Sequence, residues 1–495
     1  MNTTAPAPTS GLPATPTDSE SPDADLAPPA TGVAPRQRDI AGSPAHTAPP
    51  TDLPAHRSPA YLRYLGGQAV SILGDQVWYV ALSFSAVQLA SPGAAGAVLA
   101  VSALPRLALL LFGGAIVDRY GPRRLMIGSD VARGVIALVT AALALAQPSV
   151  ALLVVVALAF GLADALFLPA AGAMLPRLLS PAQLTGGLAL SGLTARLALT
   201  LGAPLGGLLL PLGGLPLACL VNAATFAISA LALWSVRPGT PDPQRSSRVV
   251  VAGATTTLPG PDSAARKAVA GGGTDANGGS GPARTPIGAA VREGLRYLAG
   301  HRLLRAVTLV GLLVNLGAVG PLNVGLALVA DQRGWGAGGI GVMLAGFGVG
   351  SVGGNLLMMR WRPAGRLGVI VACCAVVQCG ALFAIAVAPT PAWAFVATAV
   401  GGLAGGPQAV LLNGLTHTHT ADSHRGRVAS INNLASLGIV PPAMALMGFA
   451  AALLGTVAAF AASAALILVA AAMCVAIPAL RQARLATPSS LTSRR

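Results

Sequence analysis

The chain has 495 residues, of which 54% are hydrophobic and only 9% charged, with 61 Gly and 39 Pro. Soluble domains run at about 25% charged residues, so this composition leaves too little polar surface for a large soluble enzyme, and a multi-pass membrane protein is the class that remains. The 31 basic against 16 acidic residues give a net +15, an excess that suggests nucleic acid until the positions of the arginines are considered.

Residues 1–56 are rich in Pro, Ala, Thr, Ser and Asp and contain no apolar run. Such a segment buries too little surface to offset its ordering entropy and is expected to be a disordered tail. It lacks the apolar h-region of a secretory signal. From Tyr61 onward the chain becomes a series of apolar runs of roughly 20 residues, the length that crosses about 30 Å of hydrocarbon. Twelve spans are predicted, at 62–90, 94–114, 125–146, 150–175, 186–210, 215–236, 305–330, 337–359, 367–388, 391–415, 428–453 and 456–478. The breaks carry turn chemistry: Ser91-Pro92-Gly93, Gln147-Pro148-Ser149, Gly213-Gly214 and Pro389-Thr390-Pro391. The fold class is therefore an all-α membrane protein of twelve transmembrane helices. Its predicted organisation is a bundle of six over 57–236, a flexible Gly/Pro/Ser/Thr-rich linker over 237–286, a second bundle over 287–480 and a short tail over 481–495.

The arginines fall in alternate connections. Arg57 and Arg63 precede span 1. Arg119, Arg123 and Arg124 follow span 2, Arg177 follows span 4, and Arg237, Arg245 and Arg248 follow span 6. The pattern resumes with Arg360, Arg362 and Arg366 after span 8, Arg425 and Arg427 after span 10, and Arg481 and Arg484 after span 12. The other connections hold only Arg333, beside Asp331. This is the positive-inside pattern. It places both termini and the linker in the cytoplasm and predicts a cell-membrane protein in contact with the lipid bilayer, with no need for nucleic acid. Just after the linker, Val291, Leu295 and Leu298 share one helical face and Arg292 and Arg296 the other, the signature of an interfacial helix.

A shift of 243 residues superimposes the halves. Gly93-Ala94 falls on Gly336-Ala337, Gly96 on Gly339, Arg119 on Arg362, Arg123 on Arg366 and Gly74 on Gly317. It also places Asp75 on Ala318, Arg106 on Val349 and Asp118 on Trp361, so the intramembrane charges belong mainly to the first half. Parallel six-span repeats of this kind hold their binding site between the halves, near the midplane.

The sharpest motif lies between spans 2 and 3, where Gly114, Asp118, Arg119, Gly121, Arg123 and Arg124 spell G-x-x-x-D-R-x-G-x-R-R. Gly114 suits a close helix approach and Gly121 a tight turn. A carboxylate at Asp118 suits the start of the next helix. The loop resembles the signature of the major facilitator superfamily. That resemblance implies that Asp118 and the arginines pair with the facing half to hold one gate state. The wider pattern is similar to the branch of enterobactin exporters and macrolide-efflux pumps. It rests on Leu73-Gly74-Asp75-Gln76-Val77, Ser129-Asp130-Val131-Ala132-Arg133, Gly161 to Ala170, Glu293 to Leu298, Gly320 to Gly325 and Arg425 to Ser430. The antiporter element G-P-x-x-G-G is met imperfectly by Gly202-Ala203-Pro204-Leu205-Gly206-Gly207, a stretch that a proline kink with packing glycines explains equally well.

Buried charges supply the candidate site. Asp75 lies about thirteen residues into span 1, roughly 20 Å deep at 1.5 Å per residue. An ionised carboxylate there costs about 2.5–3.5 kcal/mol unless neutralised or paired. It is either a proton-coupling or substrate-binding group, or half of a structural ion pair. Arg106 in span 2 is placed to pair with it or with an anionic substrate. Asp130 and Arg133, at i and i+3, form a structural pair, and Asp164 and Arg196 complete the set. Gly346, Gly350 and Gly354 in span 8, and Gly401/Gly405 with Gly402/Gly406 in span 10, make ridges suited to helix sliding or to close packing. His417 and His419 read as loop polarity. Cys219, Cys373, Cys374, Cys379 and Cys474 lie in apolar stretches without metal spacing.

The only lysine, Lys267, precedes Ala268, so there is no phosphate-binding loop of the G-x-x-x-x-G-K-[ST] kind. No cofactor or metal is expected, and the chain is expected not to be an enzyme. The predicted function is secondary active transport by alternating access: proton-coupled efflux of amphipathic small molecules such as drugs, secondary metabolites or siderophores, by a functional monomer. The alternative is a proton-symport importer of a polar nutrient, although Arg237-Pro238-Gly239-Thr240-Pro241 lacks the acid expected after span 6 of a sugar porter. A non-transporting membrane sensor or assembly factor is the third reading.

Overall fold

The computed structural model describes residues 57–110, 113–146, 148–236, 287–361, 363, 365–421 and 424–484. The tail predicted over 1–56 falls outside the described residues, as do the linker predicted over 237–286 and residues 485–495.

Ten helices among the described residues are long and apolar enough to cross a membrane. One of them, within Pro181–Ser235, is two spans in series: Gly213 and Gly214 leave helical geometry, and Gly214 takes φ 63°. The glycine pair read from the sequence as a break is that break. The shorter apolar helix Pro92–Leu110 supplies the remaining span, so the twelve predicted spans are all present. Span 1 is Pro59–Leu89, span 3 Pro122–Ala146, span 8 Gly336–Arg360, span 9 Leu367–Ala386, span 10 Pro391–His419 and span 12 Thr456–Ala476. Helix starts use the residues that satisfy the first free N–H groups: Ser58, Ser149 and Thr390 each accept from the backbone three residues on.

Among the described residues, three spans carry interruptions that the apolar pattern does not reveal, each beside a proline. Span 4 runs as Val150–Ala165 and Phe167–Leu178, with the break three residues before Pro169. Span 11 runs as Arg425–Gly438 and Val440–Leu454, ending its first piece before Pro441 and Pro442. Span 7 runs from Arg302 to Gly320, widens to a π turn over Pro321–Gly325 and resumes as Leu326–Gln332. Proline has no N–H to donate one turn back, and its ring crowds that carbonyl, so the helix ends or widens nearby.

Within the halves, packing follows the repeat. Span 1 lies on the last span of its own half, with Gly74 against Asn222 and Thr225. Span 7 does likewise, with Gly317 against Ser463 and Ile467. Between the halves, span 2 meets span 11 and span 5 meets span 8, a pair of contacts related by the same repeat. At one end these crossings are backbone against backbone: Gly96 on Gly448, and Gly207 on Ala337 and Gly338. The glycine ridges of spans 8 and 10 face one another inside the second half, Gly350 on the Ala399 carbonyl and Gly402 on the Phe347 carbonyl.

The helix Ile287–Gly300 precedes span 7, as expected, and it packs on the protein through Gly294 and Leu298, with the Val291 side chain outside the described residues. Gly294 and Leu298 are buried, Leu298 against Leu304, Val428 and Ile431, whereas Leu295 is exposed. Gly294 lets the helix lie on span 11, and a Cβ there would meet Ile431; that close approach rotates Leu295 outward.

A methyl group at position 350 has no room beside the Ala399 carbonyl, while Gly380 has nothing within 4 Å. Gly350→Ala should therefore destabilise the protein by about 1–3 kcal/mol. Gly380→Ala should be neutral or raise the melting temperature, since Ala is the better helix former. Thermal unfolding in detergent measures both, and equal effects at the two positions would contradict the packing of spans 8 and 10.

Candidate functional site

A cavity of about 480 Å³ lies between the halves, a volume typical of small-molecule sites. From the first half Asp75, Trp78, Tyr79, Arg106, Phe160, Asp164, Arg196 and Thr200 line it, and from the second half Asn323, Phe347, Ser351 and Met444 among others.

One wall is a charge network centred on Arg133, whose side chain is fully buried in span 3. Its Nη1 donates to both carboxylate oxygens of Asp75 at 3.0 Å and to Asp164 Oδ1 at 3.2 Å. Its Nη2 donates to Asp130 Oδ1 at 2.6 Å and to Ser71 Oγ at 3.3 Å. The guanidinium lies between two aromatic rings, 4.6 Å from the centroid of Phe167 and 4.4 Å from that of Phe226, where the ring faces attract it. Asp130, equally buried, also accepts from Ser229 Oγ at 2.7 Å and Ser71 Oγ at 3.2 Å. This part is a structural core: the acid has several donors and the base is wedged by rings, although Arg133 Nε finds no hydrogen-bond partner among the described residues.

Toward the cavity the compensation thins. Asp164 is held by Arg133 and by a close ion pair to Arg106. Asp75 has 29% of its side chain exposed, and Arg133 is its hydrogen-bonding partner among the described residues. Arg106 therefore pairs with Asp164, whereas the sequence offered it Asp75 or an anionic substrate as partner. Depth along the helices put Asp75 and Arg106 at compatible levels, but the i, i+3 partner of Asp130 reaches across to Asp75 first. The expected pair of Asp130 with Arg133 is present. Arg196 is exposed to the cavity and makes no ion pair among the described residues.

On the basic side of the protein, Gly121 takes φ 81° in the tight turn that its place in the loop calls for. Arg123 Nε donates to the Leu233 carbonyl at 3.1 Å and its Nη2 to that of Trp234. It thus caps the C-terminal end of span 6, where a cation is favoured, within its own half rather than on the facing half. Arg119 lies over the Tyr120 ring and Arg124 is exposed. Gly114 lies in the short helix Gly113–Tyr120, and the Asp118 side chain lies outside the described residues.

Several cavity features carried no sequence signal. Tyr79 Oη donates to Asn323 Oδ1 at 2.5 Å, joining span 1 to the π turn of span 7 across the halves. Ser71, Ser229, Phe167 and Phe226 surround the network from positions that read as ordinary span residues. A second cavity of about 310 Å³, wholly in the second half, is lined by Asn413, Thr416, His417, Asn432, Asn433 and Ser436. His417 is on that wall, and His419 bonds the Leu415 carbonyl at 3.1 Å. No group of three or more His, Cys, Asp or Glu suited to a metal occurs among the described residues.

The model of the Major Facilitator Superfamily matches residues 64–319, more than half of the chain. The protein belongs to the Major Facilitator Superfamily. No curated protein matches it in sequence. Among solved structures it is similar to a bacterial homologue of the human lysosomal transporter Spinster in an inward-facing, occupied conformation, with TM-score 0.64 and 12% identity over 88% of this chain and 100% of that one. It is similar also to the nucleoside transporter NupG, with TM-score 0.64 and 10% identity over 84% and 99% of the two chains. A POT family transporter in complex with a thioalcohol-conjugated peptide gives TM-score 0.60 and 10% identity over 84% and 95%. At these identities the likeness is one of fold. The protein is a membrane transporter of this superfamily, with the cavity between its halves as its candidate substrate site.

The network predicts its own fragility. Arg133→Leu leaves three carboxylates around one apolar side chain and should destabilise the transporter by about 3–5 kcal/mol. Adding Asp130→Asn should recover part of that loss, because one buried charge is removed with its partner. Melting temperatures of the two variants decide it. A double variant no more stable than Arg133→Leu would mean that the pair is not the core of the network.

Proposed function

We propose that this transporter is a proton-coupled exporter of amphipathic small molecules, in the manner of the enterobactin-exporter and macrolide-efflux branch, and that Asp75 is the group shared by proton and substrate. The observation that carries the reading is the position of Asp75, which opens onto the cavity while Arg133, its partner, is divided among three carboxylates. The network around it holds Asp75, Asp130 and Asp164 against Arg133 and Arg106. Within the paired network, which Arg196 does not enter, one carboxylate is therefore in excess. In a low-dielectric site that excess is relieved by a proton or by a cationic group of the substrate. The two compete for one place, and competition is what exchange requires. Arg196, on the adjoining span 5, and the Tyr79 hydroxyl are other polar groups of the same cavity.

The aromatic wall fits an amphipathic cargo. Trp78 and Phe160 stack at 5.0 Å between centroids, and Phe347 faces them from the second half. With the arginine-bearing loops in the cytoplasm, the glycine contacts of Gly96 with Gly448 and of Gly207 with Gly338 close the outer end, which is an inward-facing arrangement of two six-span bundles joined by the 237–286 linker. The bundles then rock about the cavity, and a monomer in the cell membrane carries out the whole cycle.

Everted vesicles carrying the protein should accumulate a hydrophobic dye when acidified inside. Asp75→Asn should abolish the accumulation at unchanged protein level. Undiminished transport by that variant removes Asp75 from coupling. Gradient-driven substrate uptake by whole cells without efflux would instead make the protein an importer.

A further inference from the structure

Arg196 stands apart from the other intramembrane charges. Arg106 and Arg133 are both engaged by carboxylates, but Arg196, which lines the same cavity, is within ion-pair distance of none among the described residues. Its level can be read from the packing of spans 1 and 5. Ser191 Oγ donates to Gln68 Oε1 at 3.4 Å, and Gly202 rests on Leu73 and Gln76. Arg196 therefore lies between these levels, about one helical turn from Asp75. The cavity thus presents a half-buried acid and an exposed base on adjacent helices, not paired with each other.

A cation in a low-dielectric cavity is expensive unless it meets an anion, and the protein provides none for Arg196 among the described residues. Including Arg196, the cavity and its network hold three arginines against Asp75, Asp130 and Asp164. A guest of one sign leaves a net charge in this space, whereas a guest carrying both signs does not. Trp78 and Phe160, stacked on each other one turn past Asp75 on the side away from Arg196, give the cavity a flat apolar surface for a ring system beside the cationic end.

We infer that the carried molecule is an aromatic zwitterion, its cationic end on Asp75 and its carboxylate or equivalent anion on Arg196. This rests on the exporter reading for the role of Asp75 and adds the part of the substrate that Arg196 recognises. Proton and substrate still compete at Asp75, while the arginine selects which amphiphiles enter. Guanidinium is suited to the task because its planar fork matches a carboxylate with two parallel hydrogen bonds.

Tetramethylrhodamine and its methyl ester make the test, since they share one ring system and differ by a single carboxylate. The first is a zwitterion at neutral pH and the second a cation. Fluorescence anisotropy with the purified full-length protein, without any gradient, gives both affinities. The zwitterion should bind at least about tenfold tighter, the scale of a charge-assisted contact of some 1.4 kcal/mol. Arg196→Gln should reduce that ratio to about one or invert it, and Arg196→Lys should keep part of it. An ester that binds the wild type as well as the zwitterion overturns the inference, and this comparison decides alone if Arg196→Gln does not fold. A variant that weakens both dyes alike overturns it too, because that is the mark of a structural role. Binding at equilibrium is separate from pumping: the ratio can fail while acid-driven efflux and its dependence on Asp75 persist, or survive when they do not.

Discussion

The guanidinium of Arg133 is the point on which the first half depends. It joins spans 1, 3 and 4 through Asp75, Asp130 and Asp164, and Asp130 adds span 6 through Ser229. A buried arginine of this kind is tolerated only where every charge has a partner. The serines at 71 and 229 and the rings of Phe167 and Phe226 belong to the same solution, supplying donors on one side and ring faces on the other. Four helices are thereby tied at one level, and the chemically open carboxylate, Asp75, is held on rigid elements rather than on a loop. Such placement keeps a site in register while the surrounding bundle moves.

The two halves solve the polar problem differently. In the first, charges neutralise one another. In the second, the polar residues around the 310 Å³ cavity are mostly amides and hydroxyls, beside His417 and Arg425, with Thr308 Oγ1 donating to Asn432 Oδ1 at 3.1 Å. Neutral hydrogen-bonding groups cost less to place in a membrane than ions do, and they set no protonation state. A gene-duplicated frame thus carries its charge on one side, which is why the 243-residue shift matches glycines and loop arginines yet places Asp75 opposite Ala318.

Much of the fold was legible because its causes are one-dimensional. Span length is fixed by bilayer thickness, loop charge by topology, and the Gly213-Gly214 break by the two residues that leave helical geometry there. The interruptions at Leu166, Pro321 and Ile439 were less so, since a proline in a membrane helix is compatible with a straight helix, a kink or a break, and its neighbours decide which. The site was half legible. Its charged members stand out in apolar runs, but their pairing depends on rotations of four helices that periodicity does not fix. Arg133 was assigned to Asp130 correctly because that contact is local. Its reach to Asp75 and Asp164, and the consequent pairing of Arg106 with Asp164, are tertiary facts. The packed face of the helix before span 7 was unread for a similar reason: Gly294, which carries no apolar signal, packs closer than any side chain can.

The strength of contacts within a half and between halves differs in a way that bears on motion. Inside the first half the bonds are ionic and converge on one residue. Between the halves, Gly96 meets Gly448 and Gly207 meets Gly338, contacts of backbone on backbone that resist compression but hold little when parted. Tyr79 to Asn323 is a direct side-chain hydrogen bond across the crossing, and it ends on the π turn, where the helix of span 7 is already widened by Pro321. A hydrogen bond exchanged for one to water is worth only about 0.5–1.5 kcal/mol, so parting the halves at this level requires little, whereas breaking a half apart requires unpairing buried ions. Separable halves that are individually stiff are the physical requirement for rocking about a central site, and here that difference arises from where the arginines lie and where the glycines lie.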